Sequence, residues 1–227
     1  MCRMFGMVAT HAVSPRELLH DAPRSLRALS HEHGDGWGIA LASGDWQIHK
    51  STERAAHCTS FSAIADTAAR VVVAHVRKKT VGDLAIANTH PFRRGNLVFA
   101  HNGTVASLAA LSDHIALARL AEIEGDTDSE RLFAFVLTHI DAAGDVERGV
   151  VRAIRALHSL GEIGSVNFLL ASDSRVYAYR QGRTLFTLSR TGVAMVASER
   201  LTDEDWLEVP DRGLVILGRS VLEVAML

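Results

Sequence analysis

The sequence predicts an α+β fold with packed sheets. Apolar strand-like runs stand at both ends of the chain, helical stretches are grouped between them, and strand–helix–strand alternation of the kind a parallel sheet needs is not evident. The chain has 227 residues, of which 48% are hydrophobic and 22% charged, so it can bury a substantial core. No internal repeat, low-complexity segment or Pro/Gly/Ser linker divides it. One domain over residues 1–227 is expected.

Each element has a local reason. Arg3–Ala9 is a short apolar strand. Ser14-Pro15-Arg16-Glu17 has the residues of a helix start: an N-cap serine, a proline in the first turn and a glutamate placed to reach back. A helix is expected from there to about Ser30. The stretch GWGIALASGDWQIHKS reads as two strands joined by Ser43-Gly44-Asp45. RVVVAHVR and NLVFAHNG are buried-strand runs that end in polar residues. Ala106 to about Glu122 is expected to be helical. Thr127-Asp128-Ser129-Glu130 is a second capping box, opening a helix to about Asp141. Val146, Val150, Val151, Ile154 and Leu157 share one face of a third helix. The last third is mostly strand: VNFLLASD, RVYAYRQGRTLFTLS, VAMVAS, GLVILG and LEVAML.

Composition excludes several classes of function. Net charge is −2 and no Lys/Arg stripe marks a nucleic-acid groove. No window approaches the roughly 18 apolar residues of a membrane span, and the polar HAVSPRELLHD follows the first strand too soon for a secretory signal. Two cysteines, Cys2 and Cys58, make no disulfide framework, so a reducing, cytoplasmic compartment is expected.

Five polar clusters interrupt the apolar pattern: Cys2, HGDGWG at 33–38, HVRKKT at 75–80 with NTHPF at 88–92, HNG at 101–103, and TDSE at 127–130. Three of them lie directly after strand-like runs, where loops on a rigid sheet commonly carry function. Cys2 stands where a small side chain permits removal of Met1, which would leave one residue with both a thiol and a free α-amine. An amine with an ordinary pKa of about 7.7–8.0 can act as a base near neutral pH. Attack by the thiol on an amide or ester carbonyl makes an oxyanion, and Asn102 with the Gly103 N–H could supply its donors. Taken alone, Asn102-Gly103 reads first as a hairpin turn. Arg77 could clasp a carboxylate and Asp128 an ammonium group; each has a plain structural reading as well, a solvated strand end and a helix-start charge. The histidines are scattered without metal-ligand spacing, and the glycines of HGDGWG follow neither dinucleotide nor P-loop patterns. No metal and no cofactor are expected.

In their order, these clusters resemble the class II glutamine amidotransferases, which are N-terminal-nucleophile hydrolases. That family's pattern is an N-terminal cysteine, an arginine after a central strand, an N-x-H-P stretch, an H-N-G element and a T-D-[ST]-E helix start. Here those are Cys2, Arg77, NTHP at 88–91, HNG at 101–103 and TDSE at 127–130. HGDGWGIA and HVRKKT…NTHPF are similar to the small stand-alone branch, one type of which removes a γ-glutamyl group in ergothioneine synthesis.

The resemblance implies an αββα four-layer sandwich, with Cys2 as nucleophile, its α-amine as base, and Asn102 and Gly103 as the oxyanion hole. It implies further that Arg77 binds a substrate carboxylate and Asp128 the α-amino group, that Thr80 helps bind the glutamyl moiety, and that His90 lies near the site in an orienting role. Lys78-Lys79 follow Arg77 where many amidotransferases have Trp-Ala, so the substrate mouth is expected to differ. Cys58 has no counterpart and reads as structural. Two substrates remain open, free glutamine supplying ammonia to a synthase subunit or a γ-glutamyl metabolite. A non-catalytic glutamine-binding or scaffold module is the alternative.

Overall fold

The computed structural model describes residues 2–218 and 222–226. Met1, whose removal the sequence predicts, and Leu227, at the end of the last expected strand, lie outside the described residues. The first sheet contains β1 (Arg3–Val13), β2 (Trp37–Ala42), β3 (Trp46–Ser51), β4 (Ala69–Val76), and, later in the chain, β9 (Phe186–Arg190), β10 (Val193–Ala197) and β11 (Leu207–Glu208). Its order is β11-β9-β10-β1-β4-β2-β3. The second sheet contains β5 (Phe92–Arg94), β6 (Leu97–Val105), β7 (Gly164–Ala171), β8 (Val176–Tyr179), β12 (Gly213–Leu217) and β13 (Leu222–Met226), in the order β13-β12-β8-β7-β6-β5. Neighbouring strands in both sheets pair antiparallel.

Side-chain alternation along these strands builds the layers. On β4, Val71 and Val73 face the second sheet, while Val72, Ala74 and Val76 face the helices α1 (Leu26–Leu29) and α2 (Thr59–Ala65). On β6, Val98 and Ala100 face the first sheet, while Phe99 and Val105 face α5 (Asp128–Ala143) and α6 (Val146–Ser159). Three apolar clusters result, one between the sheets and one under each helical layer, which is the αββα order expected. The middle cluster is rich in small residues, including Ala40, Ala42, Ala100, Ala171 and Ala178. The outer clusters hold the large rings, among them Phe5, Trp37 and Phe61 on one side and Phe99, Phe133, Phe135 and Phe168 on the other. Among the described residues no helix is long and apolar enough to cross a membrane.

The capping box read at Thr127 forms, and the structure adds a cap on the next helix. Thr127 Oγ1 accepts the Glu130 N–H at 3.3 Å, and Asp145 Oδ1 accepts the Arg148 N–H at 2.8 Å. The hairpin over residues 43–45 also forms, pairing Ala42 with Trp46.

Four expectations are corrected. The helix read over residues 14–30 is a π-helical turn, Glu17–Asp21, followed by the separate α1. Pro23 forces the break: Ala22 before it is extended (ψ 148°), and Ser25 caps a new start. The helix read over residues 106–122 is likewise two short pieces, α3 (Leu108–Ser112) and α4 (Leu117–Leu120), parted where Ala116 is extended and gives its N–H to Thr138. RVYAYRQGRTLFTLS divides between the two sheets, because the buried Asn167 amide binds Gln181, Arg183 and Thr184 and turns the chain there. Asn102-Gly103 is not a turn; both residues lie inside β6, opposite Asn167 and Val166.

Gly38 faces the second sheet from β2, and a Cβ there would stand 2.1 Å from the His90 carbonyl oxygen. Backbone cannot yield as a flexible side chain can. Gly38→Ala should therefore destabilise by about 1–3 kcal/mol, lowering Tm by roughly 2–12 °C in calorimetry. An unchanged Tm would mean that β2 does not approach the His90 segment so closely.

Candidate active site

The period of two that sorts the core also assembles the site. Met4 and Val8 of β1 point between the sheets, so Cys2, two residues before Met4, emerges on that same face. Val98 and Ala100 of β6 do likewise, so Asn102 joins them from the opposite sheet. The side chains converge where the apolar layer ends. Cys2 Sγ accepts the Lys78 N–H at 3.4 Å and lies 3.6 Å from the Lys78 carbonyl oxygen. Burial pushes the Cys2 thiol above its usual pKa, against the Lys78 N–H and the charge of Arg77, which pull it down; Asp128 adds to the rise. Arg77 and Asp128 thus both act on the sulfur from opposite signs.

Residues 77–88 leave the end of β4 as a loop pinned at both ends. Arg77 N–H donates to the Gly36 carbonyl at 2.8 Å, the Asp35 N–H to the Arg77 carbonyl at 3.0 Å, and the Lys79 N–H to Asp35 Oδ2 at 2.7 Å. HGDGWG therefore continues the β2–β4 pairing past the strands. The buried Arg77 guanidinium donates to the carbonyls of Val81, Gly82 and Asp83 at 3.0, 3.5 and 2.9 Å. At the far end Asn88 bonds the Asp83 carbonyl and both the side chain and N–H of Asp126. Thr80 is exposed on this loop.

On β6, Asn102 is 3% exposed; its Nδ2 reaches Ser198 Oγ at 3.5 Å, and its Oδ1 has no hydrogen-bond partner among the described residues. Ser198 itself is tied to β1, accepting the Met4 N–H at 3.0 Å. A Cβ on Gly103 would stand 1.9 Å from the Ser165 carbonyl oxygen, so only glycine fits between β6 and β7 here. His101 points to the helical side. Its Nε2 lies 3.2 Å from the Ser165 carbonyl oxygen and its Nδ1 2.8 Å from Ser129 Oγ. A carbonyl only accepts, so Nε2 carries the proton and Ser129 donates to Nδ1. Asp128, the first residue of α5, accepts the Val105 N–H on Oδ2 at 2.8 Å and is 5% exposed. The capping box and the β6 backbone hold it between them.

A layer of neutral imidazoles backs these groups. His75 gives its Nε2 to the His101 carbonyl at 3.3 Å and packs against His90 with the rings tilted by 33° and their centroids 4.2 Å apart. Burial pushes the His75 pKa down to about 3, and burial, with the charges of its neighbours, holds His90 well below the ordinary value. Burial also lowers His101, with Asp128 opposing. His90 is thus packed behind the site, between His75 and Phe92, rather than open to it.

The fold brings together Cys2, Arg77, Asn102, Gly103 and Asp128, residues up to 126 positions apart in the chain. It leaves Thr80 at the rim and places His90 behind. Sequence reasoning passed over Lys78 as a backbone partner of the thiol, Ser198 as the partner of Asn102, and Asn88 as the loop's anchor. His75 and His101 sat in quoted motifs, and their adjacency to Arg77 and Asn102 was the available signal. No group of three or more His, Cys, Asp or Glu among the described residues could hold a metal ion.

A sandwich of two antiparallel sheets between helices is the fold of the N-terminal-nucleophile class of amidotransferase domains. The family model for class II glutamine amidotransferases matches residues 1–205, and the chain belongs to that family, a family of enzymes. It is 31% identical over 196 residues to a Haemophilus influenzae protein provisionally named a glutamine amidotransferase, covering 79% of this chain and 63% of that protein. It is 25% identical over 230 residues to the glutamine–fructose-6-phosphate aminotransferase of Yersinia pseudotuberculosis, covering 99% of this chain and 35% of that one. The chain therefore spans less than two thirds of either relative. Its fold matches the class II domain protein from Silicibacter pomeroyi (TM-score 0.73, 19% identity, 99% of each chain). It also matches the glutamine phosphoribosylpyrophosphate amidotransferase of B. subtilis (TM-score 0.76, 19% identity, 99% of this chain and 49% of that one).

The packed histidines make stability depend on pH. A buried imidazole whose folded pKa lies below the unfolded 6.5 binds its proton more readily when unfolded. Its contribution is complete above pH 6.5 and is lost as pH falls toward about 3. His75 should remove up to about 1.4 kcal/mol per pH unit in that window, and His90, also held below its ordinary value, should act in the same direction. Tm measured from pH 7.5 to 4.5 should fall, and His90→Phe, which keeps a ring in place, should flatten the slope. An equal slope in the two proteins would remove His90 from this account.

Proposed function

We propose that this chain hydrolyses the γ-amide of glutamine or of a γ-glutamyl compound through a glutamyl thioester on Cys2. Membership in the class II family supports amide hydrolysis in general. The finer reading is supported by strand alternation, which puts Cys2 and Asn102 on the inter-sheet faces of β1 and β6, and by the charges of Arg77 and Asp128 acting on the thiol.

Removal of Met1 leaves a free α-amine on Cys2. Burial keeps the thiol protonated at rest, so it needs a base, and an α-amine with pKa of about 7.7–8.0 suits that task. The amine takes the thiol proton as Sγ bonds to the γ-carbonyl carbon. Asn102 Nδ2 and the Gly103 N–H receive the oxyanion. Collapse breaks the C–N bond, the proton passes to the departing ammonia or amine, and water cleaves the thioester to glutamate and free thiol. Arg77 has five N–H donors and three contacts to loop carbonyls, so it retains donors for an α-carboxylate. Asp128, oriented by the Val105 N–H, meets the α-ammonium. Thr80 offers a hydroxyl from the loop, and His90 acts through the packed rings as a positioning residue. Residues 1–227 work as one domain, and a reducing cytoplasm suits the free thiol. The product ammonia either passes to a synthase subunit or, with a γ-glutamyl metabolite, is replaced by a released amine.

An electrophilic glutamine analogue should label Cys2 and spare Cys58, which is buried in the core under the first sheet. Intact mass should show the Met1-free chain. Label on Cys58, or full activity with Met1 retained, would refute the mechanism.

Asn102→Ala should lower kcat by on the order of 10²–10³. Its Tm should change little, because among the described residues the side chain makes only the 3.5 Å contact to Ser198. Normal turnover with lost stability would make Asn102 structural.

A further inference from the structure

The cleavage step makes no use of the His101 ring, which is buried between groups that restrict where its proton can sit. Nε2 lies 3.2 Å from the Ser165 carbonyl oxygen, which can only accept. Nδ1 lies 2.8 Å from Ser129 Oγ, which can donate or accept. The ring proton is therefore on Nε2, and Nδ1 takes the proton of the Ser129 hydroxyl. Two further contacts hold the arrangement. From the opposite sheet, His75 Nε2 donates to the His101 carbonyl at 3.3 Å. Gly103 leaves the ring its space, since a Cβ there would stand 2.8 Å from His101 Nε2 and 1.9 Å from the Ser165 oxygen. Burial disfavours the imidazolium, against the pull of the Asp128 carboxylate.

The consequence falls on Asp128. Ser129 Oγ also lies 3.4 Å from Asp128 Oδ1. A hydroxyl has one proton, and the shorter contact, to His101, holds it. Asp128 Oδ2 accepts the Val105 N–H at 2.8 Å, and Oδ1 has no other partner among the described residues. Oδ1 thus keeps its capacity to accept. With the ring tautomer reversed, an Nδ1–H would point at Ser129 Oγ, and the hydroxyl proton would turn to Oδ1. Resting on the role proposed above for Asp128, we infer that His101 is a positioning residue: by taking the Ser129 proton it leaves Asp128 Oδ1 open to the α-ammonium of the substrate. Preference for a free α-amine then depends on a ring that is itself turned toward the helical layer.

The test compares glutamate with glutarate, the same diacid without the amine, as competitors of Cys2 labelling by an electrophilic glutamine analogue. The readout is the ratio of the glutarate to the glutamate inhibition constant within each protein, which partial loss of folded molecules does not alter. Wild type should favour glutamate by about 30-fold or more, and Asp128→Ala should bring the ratio near one. A wild-type ratio near one, or one that survives in Asp128→Ala, would overturn the role of Asp128 and this inference with it. His101→Phe keeps a ring and offers no acceptor, so the Ser129 proton turns to Asp128 and the ratio should fall by about 10- to 100-fold. Ser129→Ala removes that proton and should keep a ratio close to wild type. H101F/S129A should recover the ratio that His101→Phe loses, which a merely structural role for the ring would not produce. A wild-type ratio in His101→Phe, or no recovery in H101F/S129A, would overturn the inference and leave Asp128 in its role. NMR of wild type carrying isotope-labelled histidine should show His101 as the neutral Nε2–H tautomer. An Nδ1–H tautomer would overturn the inference whether or not His101→Phe folds.

Discussion

The close approach of the two sheets is the constraint from which the site follows. Small side chains make it possible: Ala40, Ala42, Ala100, Ala171 and Ala178 fill the middle layer, while the large rings face outward to the helices. Close packing of this kind is intolerant of added volume. At the layer's polar end the same narrow spacing holds Cys2 and Asn102 from opposite sheets on one mouth. At Gly38 against the His90 carbonyl, and within the second sheet at Gly103 against the Ser165 carbonyl, backbone meets backbone too closely for a side chain.

Charge at the site is sparse and of deliberate sign. Four histidines, His33, His75, His90 and His101, are buried in the chain, and burial keeps His75, His90 and His101 below their ordinary pKa. Neutral rings leave Arg77 and Asp128 as the opposed fixed charges felt by the thiol. Few solvent dipoles reach such a layer, so each charge is screened less than at the surface. The backbone of Lys78 completes the surroundings of the sulfur without adding a buried charge.

The loop over residues 77–88 couples these features. Arg77 grips its carbonyls from below, Asn88 ties its end to Asp126, and Glu130 of the capping box accepts the N–H groups of Glu124 and Gly125 while pairing with Arg94. The helix start that presents Asp128 and the loop that presents the lysines are thus parts of one hydrogen-bonded unit. A change to Asn88 or Glu130 would be felt at the mouth without touching it.

The sequence by itself determined most of the strands, both long helices, the Thr127 cap of the first of them, and which residues are candidates for the site. These are written in short-range chemistry: alternation of apolar residues, a Thr-x-x-Glu box, a hairpin turn, motifs of a few residues. It misread two helices because Pro23 and the extended Ala116 interrupt stretches whose composition favours helix. It misread RVYAYRQGRTLFTLS because the division depends on Asn167, whose own place is set by another strand. Asn102-Gly103 carried a turn signal that pairing with Asn167 and Val166 overrode. Only the tertiary structure decided that His90 lies behind the site and not in it, that Arg77 is bound to its own loop, and that Lys78 touches the sulfur through its backbone. Those outcomes depend on which faces meet across two sheets and on where carbonyl groups fall along a loop. Side-chain identity does not encode backbone hydrogen bonds made at a distance of 76 residues.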